Sequence, residues 1–200
     1  MARTYVITGS ASGIGLATAE KLKSLGNTVI GVDIHNADVV ADLSTPQGRV
    51  DAAKKAIELS NNSIDAIIAC AGLAHPIATT VSVNYFGVTE FLNELLPTLT
   101  KSKSPRVVIT SSVASIMPNS AELVEAMCAN DEAKAVKIAQ GLVDAAAGGE
   151  QRAGDERQDH DGGGEEPEHE QPEAGGEREG RLAEEVTTKH LRCPSKEGGR

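Results

Sequence analysis

The chain has 200 residues, with 29 acidic and 19 basic side chains, a formal net charge of −10 and 2% aromatic residues. That excess of acid argues against nucleic acid or an anionic membrane as partner, and no apolar run approaches the roughly 20 residues that span a bilayer. The opening MARTYVITGS has neither the apolar core nor the cleavage site of a secretory leader, so a cytoplasmic protein is expected.

TYVIT is a β-rich run ending at Gly9. GIGLATAEKLKSLG follows, with Ile14, Ala17, Leu22 and Leu25 at helical spacing and Gly26 as a stop signal. NTVIGVDI is a second strand. STPQGRVDAAKKAIELSN reads as a helix with Val50, Ala53 and Ile57 on its buried face, and Ser44 or Thr45 as N-cap. IDAIIACAG has the pattern of a buried strand. TTVSVNYFGVTEFLNELLPTLTKS reads as one long helix carrying Phe86, Phe91, Leu95 and Leu99, and PRVVITSS as a further strand. From Ala121 to Ala147 a helical pattern runs on, long enough to be two helices broken near Asn130. Strands alternating with helices predict an α/β fold, a doubly wound parallel sheet covered on both faces.

Composition changes abruptly after residue 147. Residues 1–147 carry 14 acids and 11 bases, whereas 148–200 carry 15 acids, 8 bases and 11 glycines. Only Leu182, Val186 and Leu191 in that tail are large aliphatics, too few to offset the entropy of ordering it. The expectation is a folded domain over 1–147 and a disordered acidic Gly/Glu/Arg-rich tail over 148–200. Cys70, Cys128 and Cys193 are far apart and odd in number, suggesting neither a disulfide framework nor a zinc site, and no metal is expected.

The segment TGSASGIG joins the first strand to the first helix. Gly9 lets the chain leave the strand in a tight turn. Gly13 omits a side chain where a phosphate must come close, and Gly15 lets the helix pack near the sheet. The amides of that helix start, at Ser12, Gly13 and Ile14, then offer unpaired N–H groups to a pyrophosphate. Asp33 closes the second strand, 18 residues after Gly15. A carboxylate there accepts hydrogen bonds from a ribose diol and repels a 2′-phosphate, favouring NAD over NADP. Arg3 and Lys21 are the nearest bases in sequence that could weaken that preference. Cys70 and His75 read as a small buried residue and a surface-loop histidine.

These residues resemble the short-chain dehydrogenase/reductase family, and within it the bacterial 3α-hydroxysteroid dehydrogenase/carbonyl reductases. TGSASGIG fits the family's Thr-Gly-x-x-x-Gly-x-Gly. ADLS fits the segment whose Asp42 and Leu43 border the adenine. ACAG fits an altered Asn-Asn-Ala-Gly that keeps Ala71 and Gly72. VNYFG supplies the helix asparagine as Asn84, and VVITSS the catalytic serine as Ser112, with Ser111 the alternative. The resemblance implies a Rossmann-like fold, NAD as cofactor, and hydride transfer between NAD(H) and a small secondary alcohol or ketone, steroids included. It also implies a serine that positions the substrate oxygen, an asparagine that anchors a water in the proton relay, and frequent homo-oligomers. Met117 and Pro118 are expected on the substrate side.

The family's acid–base pair, Tyr-x-x-x-Lys one helical turn apart, has no counterpart in these 200 residues, whose two tyrosines are Tyr5 and Tyr85. Two readings follow: an impaired oxidoreductase, or a catalytically inactive NAD-binding fragment. An interaction protein working through the acidic tail is a third. Read one base forward, the codons for DHDGGGEEPEHEQPE permit an ordinary helix-to-loop sequence. The segment from about residue 150 is therefore expected to be frame-shifted, or the domain truncated, leaving the sheet incomplete at its C-terminal side.

Overall fold

The computed structural model describes residues 2–75, 77–116 and 119–158, and for residues 114 and 148–158 the backbone alone. Among the described residues five parallel strands form one sheet in the order β3-β2-β1-β4-β5. They are β1 (Thr4–Thr8), β2 (Thr28–Asp33), β3 (Val39–Val40), β4 (Ala66–Ala69) and β5 (Arg106–Ile109). This is the doubly wound order, reversing direction between β1 and β4. In register, Val6 stands beside Ile30 and Ile67, and Ile7 beside Gly31 and Ile68. Alternate residues therefore face opposite sides of the sheet. Val6, Ile30, Val32 and Ile67 pack against helices α2 (Pro46–Leu59) and α4 (Gly87–Leu99), where Phe91, Leu95 and Leu99 fill the larger core. Ile7 and Val29 form a smaller core with Ala19 and Leu22 of α1 (Gly13–Ser24).

Several elements differ from the sequence reading. On α1 the buried residues are Gly15 and Ala19, while Ile14 and Leu25 are 68% and 64% exposed and Ala17 is exposed too. The helix turns its smallest residues to the sheet, because a Cβ at Gly15 would overlap the carbonyl of Gly9. On α2 the buried stripe is Arg49, Ala52, Ala53 and Ala56, with Val50 and Ile57 at its flank. Thr45 is the N-cap, its hydroxyl accepting from the Gly48 amide at 3.1 Å. The strand β3 has two residues, too few to carry an alternating pattern. The single helix expected over 79–102 ends at Leu99 and contains a wide turn: α3 (Thr79–Val81) passes into a π-turn at Ser82–Phe86 before α4 begins.

The following helical stretch is broken as expected. Helix α5 (Ala121–Cys128) ends near Asn130, which adopts φ +57°. Asp131 then starts α6 (Glu132–Gln158), its carboxylate accepting from the Lys134 amide at 3.0 Å. Phe86, Ala126 and Ala135 bury one another and join α5–α6 to the π-turn. Helix α6 runs past Ala147, the end expected for it. The chain divides into compact units at 1–145 and 146–200, and in the second the described residues continue α6. Among the described residues no helix is long and apolar enough to cross a membrane.

Full cover of the sheet does not extend to β5. All four of its residues are exposed, and Val107, Val108 and Ile109 are 45%, 55% and 54% accessible. Its register beside Ile67, Ile68 and Ala69 puts these side chains on both faces, so among the described residues helices shield neither side there.

Candidate dinucleotide site

A cavity of about 500 Å³ opens at the carboxyl ends of the strands, within the roughly 300–1,000 Å³ usual for small-molecule and cofactor sites. The glycine loop forms one wall. Gly9 sits at φ +68°, and a Cβ there would lie 2.7 Å from the Ala71 nitrogen, so the loops after β1 and β4 touch at this point. Gly13, at φ +51°, has nothing within 4 Å of its would-be Cβ. The Ser12 side chain makes no capping bond, and the first intrahelical hydrogen bond runs from the Leu16 amide to the Ser12 carbonyl at 3.0 Å. The first-turn N–H groups of α1 are thus left for a ligand beside a backbone with no side chain in the way. Ser12, Ile14 and Gly15 line the cavity with these two glycines.

Asp33 closes the second wall. Its side chain is 11% exposed; Oδ2 accepts from the Ala11 amide at 2.9 Å and Oδ1 from the Ile34 amide at 2.7 Å. The carboxylate therefore ties the glycine loop to the end of β2 and keeps further lone pairs for the cavity it lines. Neither base singled out in the sequence stands there. Arg3 binds the Asp65 carbonyl at 3.2 Å, at the opposite end of the strands, and Lys21 lies in the last turn of α1. His35 Nδ1 is 3.9 Å from Asp33 Oδ1.

Asp42 and Leu43 line the next stretch. The Asp42 carboxylate accepts from the Ser44 amide at 2.8 Å, while Leu43 is 7% exposed and shared with the main core. Ala71 and Gly72 come from the loop after β4, where the Ala71 amide donates to Thr8 Oγ1 at 3.1 Å. All ten residues expected around a dinucleotide thus border one cavity.

The two expected catalytic residues stand outside that lining. Asn84 lies in the π-turn; its Oδ1 accepts from the Leu73 amide at 2.8 Å and its Nδ2 donates to the Leu73 carbonyl at 2.9 Å. The amide side chain is committed to pinning the loop after β4, and π-turns of this kind recur at functional sites. Ser112 is exposed just beyond β5, its carbonyl accepting from the Ser115 amide at 3.0 Å as a 3₁₀ turn (Val113–Ile116) begins. Ser111 is exposed beside it. Thr110, two residues nearer the sheet, does line the cavity and donates to Cys70 Sγ at 3.3 Å. His75 is exposed, its carbonyl accepting from Thr80 Oγ1 at 2.6 Å. Met117 and Pro118 lie outside the described residues. Tyr5 packs against the α1 core, and Tyr85 stands edge-on to Phe86 at 5.1 Å.

One charged cluster escaped the sequence reading. Arg49 is fully buried. It donates to the carbonyls of Leu43 (2.8 Å), Ser44 (3.0 Å) and Ser82 (3.2 Å), to Glu90 (2.7 Å), and through both Nη atoms to Glu132 (2.7 Å each). Burial alone would push this guanidinium down, but the hydrogen bonds to Glu132 and Glu90 override it and hold it above its ordinary value. The Arg49 hydrogen bond in turn holds the Glu132 carboxyl below its usual range, against burial, with help from the Ser82 hydroxyl. The available signal was spacing: Arg49 opens the stripe 49, 52, 53, 56 on α2.

A sequence profile described as short chain dehydrogenase matches residues 3–124. The chain is 41% identical over 140 residues to the 3-alpha-hydroxysteroid dehydrogenase/carbonyl reductase of Comamonas testosteroni, covering 68% of this chain and 54% of that one. It is 42% identical over 101 residues to a coniferyl-alcohol dehydrogenase of a Pseudomonas species, covering 46% and 37%. The crystal structure of the 3-alpha-hydroxysteroid dehydrogenase from Pseudomonas sp. B-0831, complexed with NADH, superposes with a TM-score of 0.66 at 43% identity, over 70% of this chain and 62% of that one. The chain spans about half the length of the curated relatives first matched.

Proposed function

The chain belongs to the short-chain dehydrogenase family, and from that premise we propose that residues 1–116 bind NAD(H) for an oxidoreductase acting on a secondary alcohol or ketone, a steroid among the candidates. The observation that carries this reading is the open face at Gly13 beside the first turn of α1, with Asp33 across the cavity. The first-turn amides take the pyrophosphate. Asp33 accepts from the adenosine ribose diol and repels a 2′-phosphate. Asp42 and Leu43 border the adenine, and Ala71 and Gly72 line the path toward the nicotinamide. The nicotinamide, when bound, supplies the hydride acceptor or donor. Ser112 hydrogen-bonds the substrate oxygen. Asn84 holds the Leu73 loop through its side chain, so its part in a proton relay falls to its backbone.

A second reading, binding without turnover, is favoured by the places of the tyrosines. Tyr5 and Tyr85 are both engaged in packing away from the cavity, and loss of a positioned general acid costs about 10²–10⁴ in rate. Measuring NADH affinity and steady-state oxidation of 3α-hydroxysteroids and simple secondary alcohols on one folded sample separates the two. Binding without turnover is the expected result. Turnover on the order of 1 s⁻¹ or faster restores the first reading in full and requires another proton donor. A folded sample that binds neither NADH nor NAD overturns both.

A further inference from the structure

We infer that Arg49 is a positioning residue of the dinucleotide site, and that through its pairing with Glu132 the α5–α6 segment and the bound dinucleotide stabilise each other; this rests on the NAD-binding reading. The contacts are direct. The guanidinium holds the carbonyls of Leu43 and Ser44, in the wall that borders the adenine, and that of Ser82, where the π-turn begins. All three are polar backbone groups that a shorter or uncharged side chain would leave without this donor. Its charge is balanced by Glu90 of α4 and, bidentately, by Glu132 in the first turn of α6. The side chain is fully buried and also faces the Phe86 ring at 5.9 Å.

A buried arginine needs both excellent geometry and full hydrogen bonding to be stable. Here Glu132 supplies two of its six hydrogen bonds and sits on a helix outside the sheet and its two cores. The same helix pair packs on Phe86 and Tyr85 of the π-turn, whose Asn84 fixes the Leu73 loop at the other end of the cavity. Undocking α6 therefore loosens two walls at once. The wall at Leu43–Ser44 loses the arginine's geometry, and the wall at Leu73 loses the packing behind Asn84. A dinucleotide that binds only the ordered cavity must then favour docked α6, and docked α6 must favour the dinucleotide by the same factor.

The experiment pairs a variant with a measurement on the unmodified chain. Glu132→Gln keeps size and packing but removes one of the two charges that balance Arg49. It should weaken both NADH and AMP by about tenfold, inside the roughly 5- to 150-fold span typical of coupled sites. AMP is included because the Leu43–Ser44 wall is on the adenine side. A purely structural ion pair would lower the denaturation midpoint and leave both dissociation constants of the folded protein unchanged. In the unmodified chain, saturating NADH should slow amide exchange across residues 121–139 as well as at 42–44. An unchanged NADH dissociation constant in folded Glu132→Gln, or exchange at 121–139 indifferent to NADH, overturns the inference while leaving the NAD-binding reading intact. If Glu132→Gln does not fold, the exchange measurement decides alone. If the folded unmodified chain binds neither NADH nor AMP, the NAD-binding reading falls first and this inference with it.

Discussion

Two glycines of one loop should respond differently to the same added methyl. At Gly9, alanine must adopt φ +68°, which costs about 1–2 kcal/mol for an L-residue. Its Cβ must also displace the Ala71 backbone, 2.7 and 2.9 Å away, an overpacking cost of about 1–3 kcal/mol. The sum, about 2–5 kcal/mol, is a large part of the roughly 5–15 kcal/mol that holds a domain together. With a urea slope of about 2 kcal/mol/M, Gly9→Ala should lower the denaturation midpoint by about 1–2.5 M. At Gly13 the φ is +51° but nothing lies within 4 Å, so only the backbone cost of about 1–2 kcal/mol applies. The Gly13 methyl instead enters the cavity, where a phosphate is proposed to sit, and should raise the NADH dissociation constant by about tenfold or more. Urea melts of both variants, followed by NADH titration of whichever remain folded, test the pair. Equal midpoints for the two would refute the packing argument, and unchanged NADH binding by Gly13→Ala would refute the placement of the phosphate.

Asp33→Ala should lose discrimination against NADPH while also loosening the glycine loop, since Asp33 Oδ2 holds the Ala11 amide; competitive titration with both cofactors reads the first effect and amide exchange at Ala11 the second. Stability should fall in acid with a known sign. Glu132 is held below its ordinary 4.5 by the Arg49 hydrogen bond, and Asp65 below 3.8 by the Ser102 hydroxyl and the Thr4 amide. Their contribution is full above those ordinary values and is lost as pH falls through the lowered ones. Urea midpoints from about pH 6 down to about pH 3 should drop, and Glu132→Gln should flatten part of the drop; an unaltered profile in that variant would contradict it. The open edge at β5 is a pairing hazard, so Val108→Lys should reduce concentration-dependent association seen by light scattering, and no change would mean that this edge does not mediate it.

Much of this was legible because local signals agreed with the fold. The glycine loop, Asp33 at a strand end and the alternation of strands and helices each predicted what stands in the structure. On α1 the apolar spacing wrongly put Ile14, Ala17 and Leu25 inward, while Leu22 does pack on the smaller core and Gly15, as expected, allows the close approach that buries it with Ala19. The π-turn at Ser82–Phe86 was hidden for a similar reason. It carries Asn84, whose side-chain amide is bound to Leu73, a contact between residues 11 apart that helical periodicity does not encode. Arg49 was overlooked because a charged residue reads as exposed unless its partners are known, and Glu90 and Glu132 are 41 and 83 residues away. The exposed β5 edge matches the expectation of a sheet left incomplete at its C-terminal side, which was read from the residues that follow the strand and not from the strand itself.

We propose that this cavity holds NAD(H) and selects it over the 2′-phosphorylated form through Asp33. The most direct test is equilibrium titration of the folded chain with NADH and NADPH, followed by the nucleotides' own fluorescence, since the chain has no tryptophan to interfere. Saturable NADH binding at least about tenfold tighter than NADPH is expected, the discrimination of a carboxylate that faces a 2′-phosphate. Binding of neither nucleotide by folded protein, or equal or tighter binding of NADPH, would contradict it.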